Sequence, residues 1–329
     1  MQAESYVLRL FQPKRTEYEE IVRVYNVGHP EEPASAEVWQ HWDAHRSPDS
    51  NFQRYVVTLA GKIGGYGYSL RTEPGADKFR FGIFLLPEWE TADLIARFYD
   101  YVMGCCLALK PTALKPTALK PTVLICQIVE GEERKRAWLE ANGFQIVMRY
   151  PLSRLDVDRF DETQYERLWQ EVAAEGIEVV DLVELAERDA DWQRKVYELD
   201  MLLSSDVPRP TVFKPSTFEQ YAGHMFGAST FVPKGWWVAL DGDKYVGMTA
   251  LFKLGDGFKR LETGLTGVRQ AYRRRGIAMV LKSRSIAWAQ GVGAKSIQTS
   301  NEENNPMFQI NLQLGFEEQP AEIDWEKEV

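Results

Sequence analysis

Hydrophobic and polar positions along this chain follow two periods, and the same succession of periods occurs twice. In the first half, residues 17–27 show helical spacing of apolar positions. Runs rich in β-branched and aromatic residues at 54–60, 64–71 and 78–86 then predict three strands. A helix is expected over 91–107, a short strand over 123–129 and a helix over 132–141, stopped by Asn142-Gly143. The second half repeats this plan. A strand is expected at 177–182, a helix at 189–203, strands at 236–240, 245–253 and 261–268, a helix at 278–290, a strand at 296–300, and a helix from Asn305 to Leu314-Gly315-Phe316. Asp241-Gly242 between two strand patterns signals a hairpin. Residues 151–176 join the halves and carry a charged helix over 161–175, expected on the surface or between domains.

The chain has 329 residues, 44% of them hydrophobic, enough for two domains with a core each. The net charge of −9 argues against the broad cationic surface of a nucleic-acid binder. The three cysteines, Cys105, Cys106 and Cys126, lack zinc-site spacing and read as small buried side chains in a reducing compartment. No metal is expected. No segment reads as a signal peptide or a bilayer span, so the expectation is a soluble cytoplasmic protein, monomer or homodimer. Ala-Leu-Lys-Pro-Thr occurs three times in tandem over 108–122, and proline at every fifth position forbids regular helix or central strand there. The repeat reads as a duplicated surface loop.

The most specific stretch runs from Gly267 to Ala278. It sets Arg273-x-x-Gly276-x-Ala278 between a strand pattern and a helix pattern. A strand, a short loop and a helix N-terminus present unpaired N–H groups to an anion. Gly276 permits close backbone approach, and Arg273, Arg274 and Arg275 add positive field. A pyrophosphate suits such a place.

These residues, with Thr266-Gly267-Val268, Asn301-x-x-x-Asn305-x-Met307 and Asn311-x-x-Leu314-Gly315-Phe316, resemble the GCN5-related N-acetyltransferase (GNAT) superfamily. The resemblance covers the second half from about residue 176 onward, and the similar element order of the first half extends it to a tandem of two GNAT-like domains. It implies a mixed α/β fold: two twisted mixed sheets flanked by helices, divided as 1–155 and 156–329. It implies acetyl-CoA as acyl donor and a small-molecule or peptide amine as acceptor. The N–H groups around Arg274 to Ala278, Ile277 included, would hold the pyrophosphate. The pantetheine arm would bond Thr266 to Val268, in a gap where the strand ending at Val268 splays from the one ending at Ser300. The Val268 N–H would face the thioester carbonyl. Asn301 and Asn305 border the cofactor, although Asn305 before Pro306 also reads as a plain N-cap.

The first half departs from the pattern. Aligned from the strand end, Glu90 stands against Arg273 and Asp93 against Gly276. Carboxylates suit a helix N-terminus and repel a diphosphate, so this half is expected not to bind coenzyme A in the usual way.

For the chemistry, Glu262 is the candidate general base. An uninterrupted pleat puts it on the same face as Val268, six residues on; a bulge would upset that count, and an ion-paired strand glutamate is the competing reading. Asp206, before Val207-Pro208, is a candidate for the cationic amine or a turn residue. Many family members carry a tyrosine as general acid where this chain has Asn311, an amide able to hydrogen-bond the leaving sulfur but not to protonate it. His224 and Tyr272 read as surface or packing residues. The expected activity is acetyl transfer to a primary amine by direct attack in a ternary complex; a non-catalytic acyl-CoA sensor or scaffold is the alternative.

Overall fold

The computed structural model of the protein describes residues 6–30, 33–44, 46, 50–72, 77–108, 121–208, 213–255 and 257–329. Residues 109–120 of the Ala-Leu-Lys-Pro-Thr repeat lie outside these. The chain divides into two units, Met1–Arg149 with Pro320–Val329, and Tyr150–Gln319.

In the first unit, β1 (Val7–Leu10), β2 (Gln53–Leu59), β3 (Lys62–Arg71) and β4 (Lys78–Leu85) run antiparallel in chain order. β5 (Val123–Val129) lies parallel to β4, paired only over Lys78–Phe81 against Val123–Cys126. Helix α1 (Arg15–Gly28), next to α2 (Ala36–Ala44), buries Ile21 and Val24 against Val56 and Tyr66. On the other face α3 (Ala92–Leu107) and α4 (Glu133–Ala141) cover Tyr55, Phe79 and Phe81 with Leu94, Phe98 and Leu139. All three cysteines are free thiols, and burial pushes the Cys126 thiol up to about 12.

The second unit contains β6 (Gln145–Asp156) from Tyr150 onward, β7 (Ile177–Asp181), β8 (Trp237–Asp241), β9 (Lys244–Lys253), β10 (Arg260–Val268) and β11 (Ser296–Ser300). Its sheet order is β6-β11-β10-β9-β8-β7, antiparallel except for β10 with β11. The helices are α5 (Glu166–Ala174), α6 (Leu182–Arg188), α7 (Trp192–Ser204), α8 (Phe218–Tyr221), α9 (Ile277–Gly291) and α10 (Pro306–Gln313). α7 packs Val196, Leu199 and Leu203 on one sheet face, against Val238 and Met248. On the opposite face α9 packs Val280 and Leu281 on Val246 and Val268, and Ile286 on Leu251 and Leu261.

The C-terminal strand β12 (Glu317–Glu328) leaves the second unit at Gln319 and completes the sheet of the first. Residues 322–328 pair antiparallel with the whole of β5. A sequential cut at 155/156 assigns this strand to the other half. Its signal was unreadable because EEQPAEIDWEKE has no alternation: adjacent Asp324 and Trp325 are both buried, one on each sheet face. Asp324 is 0% exposed and accepts from both terminal nitrogens of Arg80, at 2.7 and 2.8 Å. A buried carboxylate is tolerable only with such a partner.

Candidate functional site

The second unit opens between β10 and β11. The two strands pair only over Arg260–Glu262 against Ser296–Gln298. β10 then continues to Val268 on β9 alone, leaving its other edge without a strand. Within that stretch the register slips: Thr263 faces Leu251 and Thr266 faces Thr249, so Gly264 and Leu265 together oppose Ala250. This is a β-bulge, and it reverses the side-chain count.

The bulge corrects one expectation. Glu262 lies opposite Phe252 and Val268 opposite Gly247, positions of opposite parity on β9. The Glu262 side chain therefore shares the α7 face with Phe252 and Met248, whereas Val268 packs under α9. The backbone carries a second consequence. Arg269 N–H donates to Val246 O at 2.8 Å, which makes Arg269 and Val246 a hydrogen-bonded pair. Pairs alternate in an antiparallel ladder, so Gly267 turns its N–H toward β9, while Thr266 and Val268 turn theirs into the opening.

Beyond Val268 the chain makes a single turn (Gln270–Tyr272) and enters α9. Arg274 has φ +61° and Gly276 φ +75°, so two left-handed residues fold the loop back on itself. Among the described residues, none accepts a backbone hydrogen bond from the N–H groups of Arg274 to Ala278. The first helical bond is Val280 N–H to Gly276 O. Gly276 has a structural task besides approach to a ligand: a Cβ there would meet Leu168 Cδ1 of α5 at 2.8 Å. The charged helix expected over 161–175 thus packs its apolar side beneath this loop, with Val172 buried.

Two of the loop arginines are held by carboxylates. Arg273 pairs with Asp206 and donates Nε–H to Val268 O at 3.0 Å. Arg275 pairs with Glu175 at 2.7 Å. Arg274 is exposed. The pairing corrects the reading of Asp206, whose carboxylate faces the loop and not an amine. Tyr272 packs beside the loop, donating to Asp241 at 2.6 Å.

The asparagines form one cluster at the end of β11. Asn311 is 1% exposed and donates Nδ2–H to Asn301 Oδ1 at 2.6 Å; among the described residues its own Oδ1 has no partner. Asn305 accepts from Met307 N–H at 2.9 Å and is the N-cap of α10, with Pro306 following. His224 is exposed, in a wide π-type turn over Ala222–Phe226. Sequence reading missed the Asp200 cluster on α7. Its buried carboxylate accepts from Tyr221 Oη at 2.8 Å and Ser204 Oγ at 2.9 Å, and burial raises its pKa above the usual aspartate range.

The corresponding place in the first unit is built differently. Six residues (86–91) separate β4 from α3, against eight (269–276) between β10 and α9, so Thr91 and not Asp93 matches Gly276 at the helix start. The Thr91 hydroxyl accepts the Leu94 N–H at 3.2 Å. The Trp89 ring lies flat against Gly64, where a Cβ would be 2.3 Å away. Lys135 of α4, ion-paired with Glu132, brings its ammonium 5.6 Å from the Phe84 ring, on the part of β4 that β5 leaves unpaired.

Among the described residues no group of three His, Cys, Asp or Glu could hold a metal ion, and no helix is long and apolar enough to cross a membrane.

Comparison with known proteins agrees with this geometry. Residues 199–316 match the Acetyltransferase (GNAT) family, so this stretch is a GNAT domain. No curated protein matches the chain in sequence. A tandem GNAT protein from the clavulanic acid biosynthesis pathway superposes with TM-score 0.71 at 16% identity, covering 98% of each chain. A GNAT N-acetyltransferase from Sphaerobacter thermophilus superposes with TM-score 0.69 at 17% identity, over 98% of this chain and 95% of that one. The glucosamine N-acetyltransferase region of a fungal multi-domain β-N-acetylglucosaminidase gives TM-score 0.69 at 10% identity, over 99% of this chain and 38% of the other. The chain has the tandem GNAT fold, whose family members transfer acetyl groups from acetyl-CoA to amines.

Proposed function

We propose that the second unit transfers the acetyl group of acetyl-CoA to a primary amine by direct attack in a ternary complex. The observation that carries this is the opening beside β10, where the Thr266 and Val268 N–H groups point inward and the chain runs straight into a loop of unpaired amides. The residues present fit acetyl-CoA. The N–H groups of Arg274 to Ala278 suit its diphosphate, with Arg274 adding charge, and the free edge of β10 suits an extended amide chain.

In this reading the Val268 N–H stabilises the oxyanion as the amine attacks. The Glu262 carboxylate, on the α7 face, accepts the amine proton directly or through water. The C–S bond then breaks, and the thiolate takes its proton from solvent. Asn311, whose Nδ2 is engaged with Asn301, positions the end of β11 rather than acting as an acid. Asn301 borders the cofactor, and Asn305 keeps α10 in place. The first unit is structural: its helix start is capped by Thr91, and Trp89 and Lys135 fill the matching region.

Acetyl-CoA is expected to raise the melting temperature. Ala278→Glu adds a carboxylate in the first turn of α9, which suits the helix dipole yet opposes a diphosphate, so the fold should persist while the shift disappears. Release of free coenzyme A thiol across a panel of amines reads the transfer itself. Asn311 in place of a tyrosine favours the second reading, an acyl-CoA-binding module, which requires a full thermal shift with no thiol release on any amine.

A further inference from the structure

The acceptor side of Glu262 is aromatic. On the α7 face Glu262 stands directly opposite Phe252, whose ring lies across the bulge. A Cβ at Gly264 would come within 2.6 Å of Phe252 Cε2, so the glycine is what lets the ring lie over the strand. Phe231 pairs with Phe252 through the backbone, and both rings contact Trp236, at 5.3 and 5.2 Å between centroids. Phe226 continues the wall 5.5 Å from Phe231. Trp236 is buried, whereas Phe226, Phe231, Phe252 and Leu265 are half-buried, packed on the core and leaving apolar surface beside the carboxylate. Exposed apolar surface of this kind is lined for an apolar group.

Charge on this side is sparse. The Asp200 carboxylate is 5% exposed and satisfied by two hydroxyls. Asp206 is engaged by Arg273. A polyamine would need several carboxylates, and those two are already spoken for. Together these observations favour one amine head with an apolar body. Resting on the acetyl-transfer reading above, we infer that the acceptor is a primary monoamine carrying an aryl or branched alkyl group, its nitrogen at Glu262 and its body against Phe252, Phe231 and Phe226. The N–H of the attacking amine is lost to the carboxylate as the new N–C bond forms and the thiolate leaves.

The test compares phenethylamine with ethylamine, glucosamine and spermidine by thiol release at fixed acetyl-CoA. Ethylamine carries the same reacting group without the body, so the ratio of the two kcat/KM values isolates body recognition from chemistry. The expected ratio is about tenfold or more in favour of phenethylamine. Phe252→Ala should reduce that ratio by about tenfold, chiefly through KM. Gly264→Ala, which displaces the ring without deleting it, should move the ratio the same way. Equal rates for phenethylamine and ethylamine, a preference for glucosamine or spermidine, or a Phe252→Ala effect equal for both simple amines would overturn the inference while leaving acetyl transfer intact. If no amine releases thiol although acetyl-CoA binds, the acetyl-transfer reading fails. Calorimetry of phenethylamine with the coenzyme A complex then decides the acceptor site: tighter binding than ethylamine upholds it, and none refutes it.

Discussion

Lys282 lies in the middle of α9, 2% exposed, with Met279 and Ile286 as its neighbours along the core-facing side of the helix. Its ammonium is 5.2 Å from the Phe316 ring, and among the described residues no carboxylate pairs with it. Burial alone pushes its pKa down to about 7 from the usual 10.5. The folded state thus prefers the neutral amine, and the unfolded chain the ammonium. Between pH 10.5 and about 7 the unfolded state binds one more proton, so stability falls as pH falls, by about 1.4 kcal/mol per pH unit. Below pH 7 both states are protonated and this contribution levels off. Over three and a half units the cost is roughly 4 to 5 kcal/mol, nearly all of it present at pH 7. Lys282→Met keeps the length and removes the amine, so it should stabilise the protein by about 2–4 kcal/mol at pH 7 and by little at pH 10. Urea unfolding of both proteins from pH 6 to pH 10, followed through hydrogen exchange of the α9 amides, measures the difference. A difference that does not change with pH, or a variant less stable than the parent at pH 7, would refute the reasoning.

Gly276→Ala should destabilise by about 1–3 kcal/mol in urea, because a side chain at φ +75° is strained and its Cβ meets Leu168. Adding Leu168→Ala should recover only the steric part. Asp206→Ala releases Arg273 toward the loop, so coenzyme A should bind more tightly, but less than about fivefold, since both partners are half exposed; weaker binding by calorimetry would return Asp206 to the acceptor side. Asp324→Asn leaves Arg80 without its counter-ion and should cost about 2–4 kcal/mol, seen as faster exchange of the β5 amides.

Much of the site was legible because its signals are local. The apolar run of β10, the glycine that enters α9 and the Asn-Pro that opens α10 each act over a turn or less, and the structure has them where the pattern placed them. Elements whose burial pattern is irregular or short escaped notice: β1, α2, α6 and β12. Asp181 caps α6 by accepting from Val183 and Glu184, a signal that was present but hidden behind the strand before it.

Periodicity and capping thus determined from sequence alone that two similar α/β halves follow one another and that the second presents amides to an anion. Only the tertiary structure decided which face Glu262 occupies, that Asp206 neutralises Arg273, and that the last strand belongs to the first unit. The physical reason is range. A bulge depends on the register of two strands, and an ion pair joins residues 67 apart in the chain. Neither leaves a trace in the spacing of hydrophobic positions along a single strand.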